Sequence, residues 1–147
     1  MATSRVEKLL LTMDHLMRDR STPSWYLPAH NAKAFWTSEG CYISEVFNNA
    51  ENPDYSLAIA RVPVGVTTQL HRLIQTTERY VIQSGTGVVE VGSESQQVDT
   101  GDSVLIAPSM TQRITNTGEV DLVFYCICMP RFTPKCYQGL SAPVAEP

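Results

Sequence analysis

No stretch of this 147-residue chain approaches the roughly 20 consecutive apolar residues that a membrane helix needs, so no membrane partner is expected. The N-terminus lacks an apolar core followed by a small-residue cleavage site, which argues against a signal peptide. Positive charge is scarce: 11 Lys and Arg stand against 15 Asp and Glu, for a net −4 with neutral His. That leaves no basic patch to neutralise phosphates, and nucleic acid is excluded as an expected partner. An apolar share of 43% with 18% charged residues also excludes a disordered tail. Only four cysteines are present, Cys41, Cys126, Cys128 and Cys136, and nothing suggests a small disulfide scaffold. A reducing, cytoplasmic setting is therefore expected. Cys126 and Cys128 share one face of any strand, where they read as small buried hydrophobes. Without a second cluster they lack the spacing of a closed zinc site. No phosphate-cradling glycine loop, nucleophile elbow or zinc-protease helix occurs.

What is present divides into four stretches of one domain. Residues 1–22 carry an amphipathic helix over Thr3 to Arg18, with Val6, Leu9, Leu10, Met13, Leu16 and Met17 at three- and four-residue steps. Its apolar stripe needs a partner, either its own domain or a second subunit, and a homodimer is expected. Residues 23–55 form a lead-in of aromatics and turn residues, with a strand over Cys41 to Phe47 and a loop over Asn48 to Asp54. Residues 56–130 are the core. Strands are expected at Ser56–Val62, Gln69–Ile74, Glu78–Ser84, Gly87–Val91, Glu94–Val98, Ser103–Ile106, Gln112–Asn116 and Leu122–Cys128. Short strands broken by Gly and Pro, with no helical period between them, predict an all-β antiparallel barrel and exclude a βαβ sheet. Residues 131–147 form a tail, with a helical turn around Pro134 to Leu140 and loose final residues.

Two blocks carry the chemistry. One runs from Gly65 through His71 and Glu78 to Gly85. The other runs from Gly101-Asp102 through Ala107-Pro108-Ser109 and Gln112 to Asn116. Together they resemble the paired motifs of the cupin superfamily, over about residues 56–130. Gly65, His71, Glu78, Gly85, Gly101 and Asn116 match in type and spacing. The resemblance implies a cupin-type barrel (a double-stranded β-helix, or jelly roll) of the small single-domain kind, preceded here by the α-helix. It also implies that the motif face points into the barrel.

The departures shape the functional expectation. Cupins bind a divalent metal through two His and one Glu of the first motif and a His of the second. Leu73 and Gln112 stand here where two of those histidines would be. Alternation keeps Gln69, His71 and Leu73 on one face, and Glu78 and Tyr80 on one face of the next strand. With Gln112 and Ile114 they would line the cavity. His71, Glu78 and Gln112 are the candidate ligands for Fe, Mn, Ni or Zn, a poor set because Gln offers only a neutral oxygen. Without metal, His71 and Glu78 form a candidate acid–base pair, bonded to each other. Arg72 and Arg79 fall on the opposite strand faces, where they suit solvent or subunit contacts, while Arg61 and Arg113 are candidate anion contacts at the barrel mouth. Three functions fit a small-molecule ligand: an isomerase or acid–base enzyme for a sugar-like or keto-acid substrate, a metal-dependent dioxygenase or oxidative lyase, and a non-catalytic binder or sensor.

Overall fold

A computed structural model describes residues 23–147, and the expected N-terminal helix lies outside them. The described chain is all-β apart from two single 3₁₀ turns, Ala29–Asn31 and Pro134–Cys136. Eleven strands follow in order: β1 Phe35–Trp36, β2 Tyr42–Asn49, β3 Asn52–Val62, β4 His71–Leu73, β5 Thr77–Ser84, β6 Gly87–Val91, β7 Glu94–Val98, β8 Ser103–Ile106, β9 Gln112–Asn116, β10 Leu122–Met129 and β11 Tyr137–Gly139. They form two antiparallel sheets, β1-β2-β3-β10-β5-β8 and β11-β4-β9-β6-β7. The inward rows alternate with outward ones, and a core of Val62, Ile82, Val89, Val98, Ile106, Ile114, Leu122 and Phe124 fills one end between the sheets. That leaves the other end to polar residues.

The expected bounds of β6, β7, β8 and β9 match the structure, because each is short and closed by a turn residue. Two expectations are corrected. The loop predicted over Asn48 to Asp54 shrinks to a turn at Ala50-Glu51, joining β2 to β3. Pro53 is tolerated there because it falls where the β2–β3 register is shifted, so its missing N–H breaks no regular ladder bond. The tail opens on the expected helical turn, Pro134–Cys136, but the residues after it are not loose. After Pro134–Cys136 it pairs with β4 as strand β11, Tyr137 opposite Leu73 and Gly139 opposite His71. Leu140, Ser141, Val144 and Glu146 then bond across the barrel end.

Two turn positions show why the motif spacing holds. Ser109 adopts φ 65°. It stands where the second motif's spacing calls for glycine, and it still enters the left-handed region. Gly85 has φ 87°, and a Cβ there would lie 2.8 Å from the Asp121 carbonyl oxygen. Gly101 has φ 95° with open space around it. Gly101→Ala should therefore cost only the left-handed backbone penalty, about 1–2 kcal/mol. Gly85→Ala should cost roughly 2–5 kcal/mol, because backbone must also move. Equal losses for the two variants in urea unfolding would contradict this account.

Candidate functional site

The polar end of the barrel is built by alternation on three strands. All seven expected lining residues, Gln69, His71, Leu73, Glu78, Tyr80, Gln112 and Ile114, are buried, none more than 7% exposed. His71 on β4 lies opposite Gln112 on β9. Gln112 then crosses to the other sheet: its Nε2 donates to Glu78 Oε2 at 2.8 Å, and its Oε1 accepts from the Tyr80 hydroxyl in a short bond. Tyr80, Gln112 and Glu78 thus form one buried hydrogen-bond chain. Cys128 stands opposite Glu78 in the β10–β5 ladder. Cys126 packs against the core.

His71 has a different partner from the one expected. The carboxylate within 4 Å of its ring is Glu39, with Nε2 3.8 Å from Oε1, while Glu78 bonds to Gln112. The direct His71–Glu78 bond is therefore replaced by an arrangement in which Gln112 stands between the two strands. Nδ1 of His71 lies 2.8 Å from the Gln69 carbonyl oxygen, an obligatory acceptor. Nδ1 accordingly carries the proton and Nε2 keeps its lone pair. Tyr137 stacks on the ring at 4.9 Å and donates its hydroxyl to Gln69 Oε1 at 2.8 Å.

Glu39 is the site residue that sequence reasoning missed. It lies in the turn between β1 and β2, outside any alternating pattern. The Gln69 N–H donates to its carbonyl oxygen at 2.6 Å, tying that turn to the start of β4. Gly40 follows it at φ 103°. A turn glycine beside a lone acidic residue was the only available signal.

Burial sets the protonation states. It pushes His71 below the ordinary histidine value, so the ring is neutral at pH 7. It raises Glu39 to about 7. Burial, and then the negative charge of Glu39, raise Glu78 to about 7 against the opposing pull of Gln112, His71 and Cys128. The chamber therefore holds a neutral imidazole with an open Nε2 and two carboxyl groups that titrate near neutrality. That set can take one proton and give another.

The donor set does not fit a divalent ion as the side chains lie. Leu73 supplies no donor. The oxygen of Gln112 is engaged by Tyr80, and its amide nitrogen faces Glu78. Among the described residues no three of His, Cys, Asp and Glu converge as a metal-holding group.

The surface arginines also find their places. Arg61 pairs with Asp121 at 2.8 Å and covers the Tyr42 ring at 4.1 Å. Arg113 grips Glu90 through two bonds of 2.5 and 3.0 Å. Both are engaged by carboxylates, which corrects their expected role as anion contacts. Arg72 bonds Gln138 and Arg79 bonds Ser103, in exposed positions. A groove of about 880 Å³ runs between β6–β7 and β8, and none of the chamber residues lines it.

A carboxyl raised in the folded state binds more protons folded than unfolded. Its contribution to stability is complete below the unfolded value near 4.5 and is lost as pH rises through about 7. The loss for Glu78 is on the order of 3 kcal/mol. Thermal unfolding should show the parent losing stability between pH 5 and 8, and Glu78→Gln losing distinctly less. A steeper loss in the variant would contradict the assignment.

The comparisons with known proteins agree with this architecture. A cupin-domain family model matches residues 58–128. An uncharacterized protein of Methanocaldococcus jannaschii is 34% identical over 103 residues, covering 69% of this chain and 82% of that one. Among solved structures, a Streptomyces nucleoside dehydratase, Pac13, seen with uridine, superposes with a TM-score of 0.71 at 14% identity, over 83% of this chain and 95% of that one. A predicted oxalate decarboxylase of Thermotoga maritima gives 0.65 at 19% identity, over 71% and 98%. KdgF from Halomonas gives 0.64 at 15% identity, over 73% and 95%. With both motif blocks in register and the two-sheet architecture shared, the chain belongs to the cupin family.

Proposed function

We propose that this cupin is an acid–base enzyme for a small carbonyl-bearing substrate, sugar-like or keto-acid, working through His71 and the carboxyl groups beside it. The observation that carries the reading is the buried, neutral His71, whose Nε2 lone pair faces Glu39 at 3.8 Å. In the proposed step, Nε2 takes a proton from the carbon next to the carbonyl. A protonated carboxyl, Glu39 or Glu78, gives one to the carbonyl oxygen. Returning protons to the neighbouring carbon and back to the carboxyl completes an isomerisation with no net change of electrons. Gln112 and Tyr80 hold Glu78 in place for it. A second groove of about 380 Å³ at this end of the barrel is lined by Arg131 and Lys135 and by no carboxylate, which favours an anionic substrate. One structural relative is a nucleoside dehydratase, a likeness of fold only at 14% identity.

All four cysteines are unpaired, which supports a reducing compartment such as the cytoplasm. Among the described residues no helix is long and apolar enough to cross a membrane. The outward face of the six-stranded sheet carries Leu57, Ile59, Val81, Tyr125 and Ile127, all half-buried, which supports a homodimer.

In deuterated water, a panel of aldoses, ketoses, 2-keto acids and their phosphates should reveal at least one substrate that gains deuterium at the carbon next to its carbonyl. His71→Asn should slow that exchange by about 10²–10⁴-fold while leaving the circular dichroism unchanged. Unaltered exchange in the variant would rule out His71 as the base.

Restoring donors provides a separate check. Leu73→His with Gln112→His would complete a three-His, one-Glu set around His71 and Glu78. The variant should melt lower than the parent in chelator and rise strongly with nickel or zinc, while the parent responds little. A strong response in the parent would show that His71, Glu78 and Gln112 already hold an ion, and would return the metal-dependent enzyme to the lead.

A further inference from the structure

The C-terminal residues span the chamber end in an ordered way that no motif foretold. From Leu140 the chain leaves β11 and crosses from β4 to the turn between β1 and β2. Leu140 N–H donates to the Leu70 carbonyl oxygen at 2.7 Å, and Ser141 Oγ accepts from Leu70 N–H at 2.9 Å. The Ser141 carbonyl accepts from Gln69 Nε2 at 2.6 Å. Val144 N–H donates to Ser38 at 2.8 Å, and the Val144 carbonyl accepts from the Trp36 indole at 3.3 Å. Glu146 accepts from the Tyr42 hydroxyl at 2.7 Å.

Two glycines make the close seating possible. A Cβ on Gly40 would meet the Val144 side chain at 2.9 Å, and one on Gly139 would meet the Gln69 side chain at 2.8 Å. The anchor points are the immediate neighbours of the chamber. Ser38 and Gly40 flank Glu39, while Gln69 and Leu70 precede His71.

The strap and what lies beneath it differ sharply in burial. Gln138 to Pro143 are all exposed, and Val144 is half-buried. His71 is 2% exposed and Gln69 6%. A terminal segment held by surface hydrogen bonds, with no side chain in the core, belongs to the low end of local stability. It is bonded to the two segments that carry the chamber's Glu39 and His71.

We propose that residues 139–146 are a lid, which opens to admit substrate to His71 and on closing returns Glu39 to the Nε2 of His71. The proposal rests on reading the His71 chamber as the active site. Opening leaves the other ten strands in place, because it releases only the edge strand β11 and the bonds just described.

Access to His71 can be read without a substrate. Diethyl pyrocarbonate attacks the neutral ring nitrogen, and peptide mass spectrometry resolves His71 from the other histidines. In the full chain His71 should label far more slowly than free N-acetylhistidine. The double variant Ser141→Ala/Val144→Gly removes the Ser141 hydroxyl anchor and the Val144–Gly40 packing. It should label His71 at least about tenfold faster, with a melting temperature close to the parent's. Backbone amide exchange at Leu140 and Val144 should exceed that at Phe124 by a wide margin in the parent. Equal labelling in both proteins would overturn the lid. So would acceleration that merely follows a fall in global stability, or Val144 exchanging as slowly as Phe124. Because labelling requires no turnover, a failed substrate search leaves the lid standing, and an immobile strap leaves the acid–base reading intact.

Discussion

A carboxyl group placed where water does not reach must be neutralised, paired or hydrogen-bonded, and Glu78 sets that demand on this barrel. Its answer is Gln112, which donates across the gap between the sheets and is itself held by Tyr80. The bonds link β5 to β9 at the polar end, as Ile82, Ile114 and Phe124 link the sheets at the apolar end. Fold and site share this one chain of bonds. The Glu78 carboxyl is satisfied here by the Gln112 amide, so the barrel keeps its cupin form with a different interior chemistry.

The same burial distributes protons. His71, fixed by the Gln69 carbonyl, stays neutral and offers Nε2. Glu39 and Glu78 are both raised to about 7, Glu39 by burial and Glu78 by burial and then by the negative charge of Glu39. The result is a base and two potential acids within one chamber at neutral pH, with the protons set by desolvation rather than by strong ion pairs. A strap bonded to the two segments that supply Glu39 and His71 couples this electrostatic arrangement to the position of the C-terminus.

Much of this was legible in the sequence, for physical reasons that also mark where reading fails. Alternation along 69-71-73, 78-80 and 112-114 identified the interior because a strand has period two and each run is bounded by turn residues. The motif glycines could be read because positive φ and close approach leave few alternatives. Glu39 escaped because a turn has no period. The strand at Asn52–Asp54 escaped because Asn, Pro and Asp resemble loop, while a register shift makes room for Pro53. The C-terminal tail looked loose because its bonds are made by backbone groups and by Gln69, Trp36 and Tyr42, far away in sequence. The partner of His71 was misread for the same reason: pairing across a barrel depends on which side chains are long enough, and Gln112 reaches Glu78 first.

The central claim is that His71 is a neutral base with its proton on Nδ1. Nitrogen-15 correlation spectra of the ring at pH 7, on protein labelled at histidine, test it most directly. The account predicts that His71 shows a protonated Nδ1 and an unprotonated Nε2, and that the pattern persists below pH 6.5 because burial holds the ring neutral. A proton on Nε2, or a doubly protonated ring at pH 7, would contradict it.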